Sequence, residues 1–148
     1  MFHEVIEDVG SDADAEHAAE AAALLAAFEA LVQESVETAG RDRVTDETAL
    51  SSEAIDAAAA GDAADLSVDE GAAMIAVSRD RDPDAVIFEL RDYLLMGMTT
   101  AVLDVDTLAG AIDADLTGQE VQQALEGRAD MTLAQLAEIM AVIEARKQ

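Results

Sequence analysis

Leu116-Thr117-Gly118-Gln119-Glu120-Val121-Gln122-Gln123-Ala124-Leu125-Glu126-Gly127-Arg128-Ala129-Asp130-Met131-Thr132-Leu133-Ala134-Gln135-Leu136 carries two helix starts and one helix stop. Thr117 with Glu120, and Thr132 with Gln135, have capping-box spacing. The hydroxyl accepts from the third helical N–H and the longer side chain reaches back to the cap N–H. Gly127 can take the left-handed conformation that ends a helix. The final helix then sets Leu133, Leu136, Met140 and Ile143 on one face.

Working outward, the same punctuation recurs. Ser67 and Glu70 form another capping box. Ser51 can open a helix that Gly61 closes. Asp82-Pro83 pairs a cap with proline at the first helical position. Asp106 can cap a short helix over 107–113. Ala21, Leu25, Phe28, Val32 and Val36 recur at spacings of three and four, which predicts a helix over 14–39 that stops at Gly40. The stretch 41–49 is a weak, short helix, and 1–12 an acidic, loosely held start. The stretch 85–103 is apolar on nearly every side, with Val86, Ile87, Leu90, Tyr93, Leu94, Met96, Met98, Ala101 and Val102. That reads as a central helix buried by its neighbours, with Gly97 allowing a close crossing. No segment alternates like a strand. The expected fold is all-α, about eight helices, in a single compact domain over 1–148. Its parts are a helix and first unit over 14–77, the central helix over 83–103 and a second unit over 106–148.

The two units match each other. Leu50-Ser51, Ile55 and Gly61 correspond to Leu116-Thr117, Val121 and Gly127 at an offset of 66. Leu66-Ser67-Val68 and Met74-Ile75-Ala76-Val77 then correspond to Met131-Thr132-Leu133 and Ile139-Met140-Ala141-Val142 at 65. Alanine-rich helices align easily, but alanine content does not explain shared caps and glycines.

Composition limits the chemistry. Lys plus Arg number 8 against 33 Asp plus Glu, a net charge of −25, while 51% of residues are apolar. Lys147 is the sole lysine, and there is no Cys or Trp. This excludes disulfide scaffolds, cysteine-based metal sites and cysteine nucleophiles. Apolar residues in helical stripes argue against disorder. The alternative is a halophilic surface, since at about 1 M salt the Debye length is about 3 Å and acidic repulsion is largely screened. The most apolar runs, 21–30 and 93–103, fall short of the roughly 20 residues a membrane span needs. With no positively charged leader, the expectation is a cytoplasmic protein with no membrane partner.

Asp80, Asp82 and Asp84 begin a calcium-loop spacing, but the sixth and twelfth positions are Ala85 and Arg91 instead of Gly and Glu. His3 and His17 lie in acidic surroundings and read as surface residues. Met74, Met96, Met98, Met131 and Met140 sit at core-like positions. Arg79 and Arg81 alternate with Asp80 and Asp82 and read as solvated salt partners. No catalytic constellation, metal site or cofactor site stands out, so the chain reads as non-enzymatic.

The second unit, through Leu108-Ala109, Leu116-Thr117, Val121, Leu125, Gly127, Met131-Thr132-Leu133 and Leu136, resembles a λ-repressor-like helix-turn-helix. The resemblance implies duplicated units of that type and a helix over 117–126 that enters the DNA major groove. With Val121 inward, Gln119 and Gln123 point outward and Gln122 to one side. Glutamine can pair with adenine. Thr117 at the helix start, and Arg128, are the phosphate candidates. These five residues are the candidate DNA contacts, at high salt. Against them stand Glu120, Glu126 and Asp130, and the first unit presents Glu53, Asp56, Ala57 and Ala60. An acidic outward surface on both units points to the other reading, an adaptor that uses the fold as a scaffold to bind another protein. The whole chain is also similar to a small haloarchaeal family of unknown function, most closely over 89–106, 120–127 and 131–133. That resemblance implies an origin and no activity.

Overall fold

The computed structural model describes Phe2 and residues 17–112 and 115–147. Among them are eight helices and no strand: α1 (His17–Ala39), α2 (Arg41–Glu47), α3 (Ser52–Ala59), α4 (Val68–Arg79), α5 (Pro83–Ala101), α6 (Val105–Ala111), α7 (Gly118–Leu125) and α8 (Leu133–Arg146). The fold is all-α, as the periodicity requires.

Local chemistry sets the boundaries. Ser67, Thr117 and Thr132 each close a full capping box. Ser51 caps α3 by accepting the Ala54 N–H. Asp82 accepts the Asp84 N–H at 2.9 Å with Pro83 opening α5, which makes it a cap. Gly61 and Gly127 end their helices at φ +77° and +78°. The cap of α6 is Asp104, two residues before the expected Asp106. Its carboxylate accepts the Thr107 N–H at 2.7 Å, and that bond holds it below the usual carboxylate range.

The eight helices are two runs of one four-helix pattern. Their lengths are 23, 7, 8 and 12 residues, then 19, 7, 8 and 14. On α1 the buried residues are Leu24, Phe28, Val32, Ser35 and Val36. On α5 they are Val86, Leu90, Leu94, Gly97 and Met98, each 62 positions further along (24 to 86, 36 to 98). Val44 and Leu108 are the buried residues of α2 and α6, each fourth in its helix. The halves meet at their matched loops. The Val68 N–H donates to the Met131 carbonyl at 2.8 Å and the Leu133 N–H to the Leu66 carbonyl at 2.9 Å. Ser67 and Thr132 form the antiparallel bridge between them. Because 66 matches 131 and 68 matches 133, the two bonds are exchanged by a local twofold between the halves.

Pairing the halves decides which helix is central. The expectation that 83–103 is buried on all sides is corrected. α5 buries one face, while Phe88, Leu95, Met96 and Val102 are 69%, 48%, 63% and 89% exposed. It is the second half's counterpart of α1, and no described neighbour covers its far side. Met96 therefore leaves the core list; Met74, Met98, Met131 and Met140 stay in it. The deeply packed helix is α8, which buries Leu133, Leu136, Ala137, Ile139, Met140, Ala141, Val142 and Ile143 against α1, α4, α5 and α6. Gly97 permits the α5–α8 crossing, since a Cβ there would lie 2.7 Å from Ile143 Cγ2. Tyr93 on α5 donates to Glu144 at 2.6 Å. Burial first, then Glu144, pushes its phenol above the ordinary range.

One substitution breaks the match. Gly71 stands where the second half has Leu136, and Phe2 occupies the space: a Cβ on Gly71 would lie 3.5 Å from Phe2 Cζ. Phe2 is 1% exposed and packs edge-on to Phe28 at 5.4 Å. The loosely held start is thereby corrected at Phe2, while 3–12 lie outside the described residues.

Candidate functional site

Two surfaces compete for the role of site. The first is the outward face of α7. Gln119 is exposed and Gln123 half-buried. Thr117 is fully engaged: its hydroxyl accepts the Glu120 N–H and its own N–H donates to Glu120, both at 3.1 Å. An approaching phosphate would meet the Glu120 carboxylate first. Gln122 donates to Glu126 at 2.9 Å and Arg128 pairs with the same carboxylate. Those contacts, Gln122 foremost, hold Glu126 below its usual range. The structure thus brings Gln122 and Arg128 together on an acid, away from Thr117. The link from α6 to α7, residues 112–117, is six residues where a helix-turn-helix uses three or four.

The second surface is α5 with the hollow beside it. Arg91, half-buried, donates from Nε to the Leu125 carbonyl at 2.8 Å and caps the end of α7. A Cβ on Gly127 would come within 2.9 Å of its Nη1. Nothing local in the sequence pairs Arg91 with residue 125, so it was absent from the expected set. Arg81 forms a two-point contact with Glu89 and Arg43 pairs with Glu47 and Asp80.

The hollow lies between α4, α5 and the 126–132 loop, with a volume of about 790 Å³. Val68, Leu90, Leu94 and Met131 form its apolar floor, and Asp69, Asp84 and Asp130 stand on its rim. A second hollow of about 630 Å³ shares Ala73 and Pro83 with the first and runs on to Leu50 and Val77. Lost solvation, followed by the neighbouring Asp69 and Glu70, pushes the Asp130 carboxyl above its usual range, although the residue as a whole is exposed. Between the ordinary and the raised value the folded chain holds more protons than the unfolded one, so stability falls as pH rises through that window. Asp130→Asn is expected to melt above wild type at neutral pH. The two should coincide below the ordinary carboxylate range. A melting comparison across pH with equal Tm values throughout would contradict the repulsion.

The exposed apolar residues of α5 have an internal control in α1. Phe88, Leu95, Met96 and Val102 occupy the positions that Ala26, Gln33, Glu34 and Gly40 hold in the first half. Gly40 has φ +88° and Val102 φ +55°. A β-branched residue in the left-handed region is strained by about 1–3 kcal/mol. Val102→Gly is accordingly expected to stabilise the chain by about 1 kcal/mol, read as a rise in Tm; a fall would show that no strain is stored there.

Among the described residues no group of His, Asp or Glu is placed to hold a metal ion, and no single helix is long and apolar enough to cross a membrane. No curated protein and no solved structure matches the chain. Residues 24–146 match the family of unknown function DUF5791, and the chain belongs to that family.

Proposed function

We propose that the protein is a non-catalytic adaptor that binds another protein through the outer face of α5. One observation carries this reading: all four exposed apolar positions of that face are small or polar in the equivalent helix of the first half. The fold does not require them, because α1 fills the same structural role without them. Isolated exposed apolar residues are ordinary, whereas four large ones along a single helix and its C-cap point to an interaction site. The strain accepted at Val102 points the same way, since backbone strain persists where something else holds it in place. The sequence resemblance to a helix-turn-helix allows a DNA-binding regulator, but Thr117, Gln122 and Arg128 are already engaged with acids. Few cations are left for phosphate contacts. The acidic surface supports a halophilic, cytoplasmic setting.

The test is affinity purification of the tagged chain from its native cells at native salt, beside a Leu95→Asp, Met96→Asp variant. A stoichiometric protein should survive nuclease treatment and be lost from the variant, while helical ellipticity is unchanged. Retention by the variant, or release by nuclease, would overturn the reading.

A further inference from the structure

We propose that the trough along α4, beside Phe88, receives a basic, apolar-anchored segment of a partner protein, with a lysine or arginine side chain seated between Asp69 and Asp130; this rests on the adaptor reading. The shape comes first. The two hollows share Ala73 and Pro83, so together they follow α4, whose 12 residues span about 18 Å. That suits an elongated chain segment better than a compact ligand. The floor is apolar, and Phe88 stands largely exposed at its edge.

Charge then selects the occupant. The trough's cations are already used: Arg91 on the Leu125 carbonyl, Arg128 on Glu126, Arg81 on Glu89, and Arg43 on Glu47 and Asp80. The acids of the first hollow are not. Among the described residues Asp69, Asp84 and Asp130 have no cationic partner. Lost solvation first, and then the neighbouring Asp69, raise the cost of ionising Asp130. A cation arriving between them relieves repulsion as well as forming a pair, so it gains more than at an isolated rim acid. A second copy of this chain, at −25, offers the opposite of what the rim needs.

The experiment pans a random peptide library on the full chain in about 1 M KCl, where general attraction to an acidic protein is screened. Enriched peptides should combine a large apolar residue with Lys or Arg. Ala73→Phe, which fills the trough at its middle, should weaken them at least about tenfold. Asp69→Asn with Asp130→Asn, which leaves the trough open, should weaken them by about threefold or more. No enrichment, an acidic consensus, or binding indifferent to both variants overturns the proposal. The adaptor reading fails separately. A cellular partner lost from the Leu95→Asp, Met96→Asp variant but kept by Ala73→Phe would retain the adaptor and remove the trough.

Discussion

Phe28→Ala is expected to destabilise the chain by about 3–5 kcal/mol, while Phe88→Ala costs almost nothing. Both residues sit in long helices at apolar positions of the sequence. Phe28 is fully buried and meets Phe2 edge-on. α1 packs on α4 and α8, so truncation leaves a void where both halves meet. The aromatic pair adds to the loss. In a chain of this size each kcal/mol moves Tm by roughly 2–4 °C, so the Phe28 variant should melt about 6–20 °C lower. Phe88 is 69% exposed, and its removal takes little from the folded state. Denaturant melts of the two variants decide the matter. Equal losses would mean that α5 is covered as deeply as α1, and would withdraw its outer face as a binding surface.

Transfer from molar KCl to dilute buffer is the second large effect. Even if every basic side chain paired with one acid, 33 less 8 would leave 25 acids unpaired. At about 1 M salt they are screened beyond about 3 Å; at about 0.01 M they interact across about 30 Å. Folding concentrates that charge and unfolding disperses it, so the penalty falls on the native state. Tm should fall much further than the roughly 2–4 °C that one kcal/mol represents, and helical ellipticity should drop with it. An unchanged Tm on dialysis would refute the halophilic reading of the acidic surface.

The local punctuation was legible in the sequence. Capping boxes, the Asp82-Pro83 start and the Gly61 and Gly127 stops depend on residues a few positions apart, and each reads the same in the structure. Burial was less legible, because it depends on who lies opposite. The apolar residues of 85–103 suggested a helix covered all round, yet Phe88, Leu95 and Met96 face outward. Composition records what a helix can bury and leaves open what is there to bury it. The repeat was visible in α3–α4 and α7–α8, where glycines and caps mark it. In α1 and α5 it survives mainly as buried positions 62 apart, none of them identical between the helices. The candidate surface was missed for the same reason. Arg91, Asp69 and Asp130 come together across the halves, whereas Thr117, Gln119, Gln122, Gln123 and Arg128 were chosen from a single helix and its flank.

The pairing of α1 with α8 also governs the order of events during synthesis. α1 leaves the ribosome well before α8, from which it takes much of its cover. From Val36 to Ile143 about a hundred residues must be added, which at about 5–20 residues per second takes roughly 5–20 s. For that interval Leu24, Phe28 and Val32 have no α8 to pack against. The acids that α1 carries off its buried stripe, Glu29, Glu34 and Glu37, then set like charges between nascent chains on the same message.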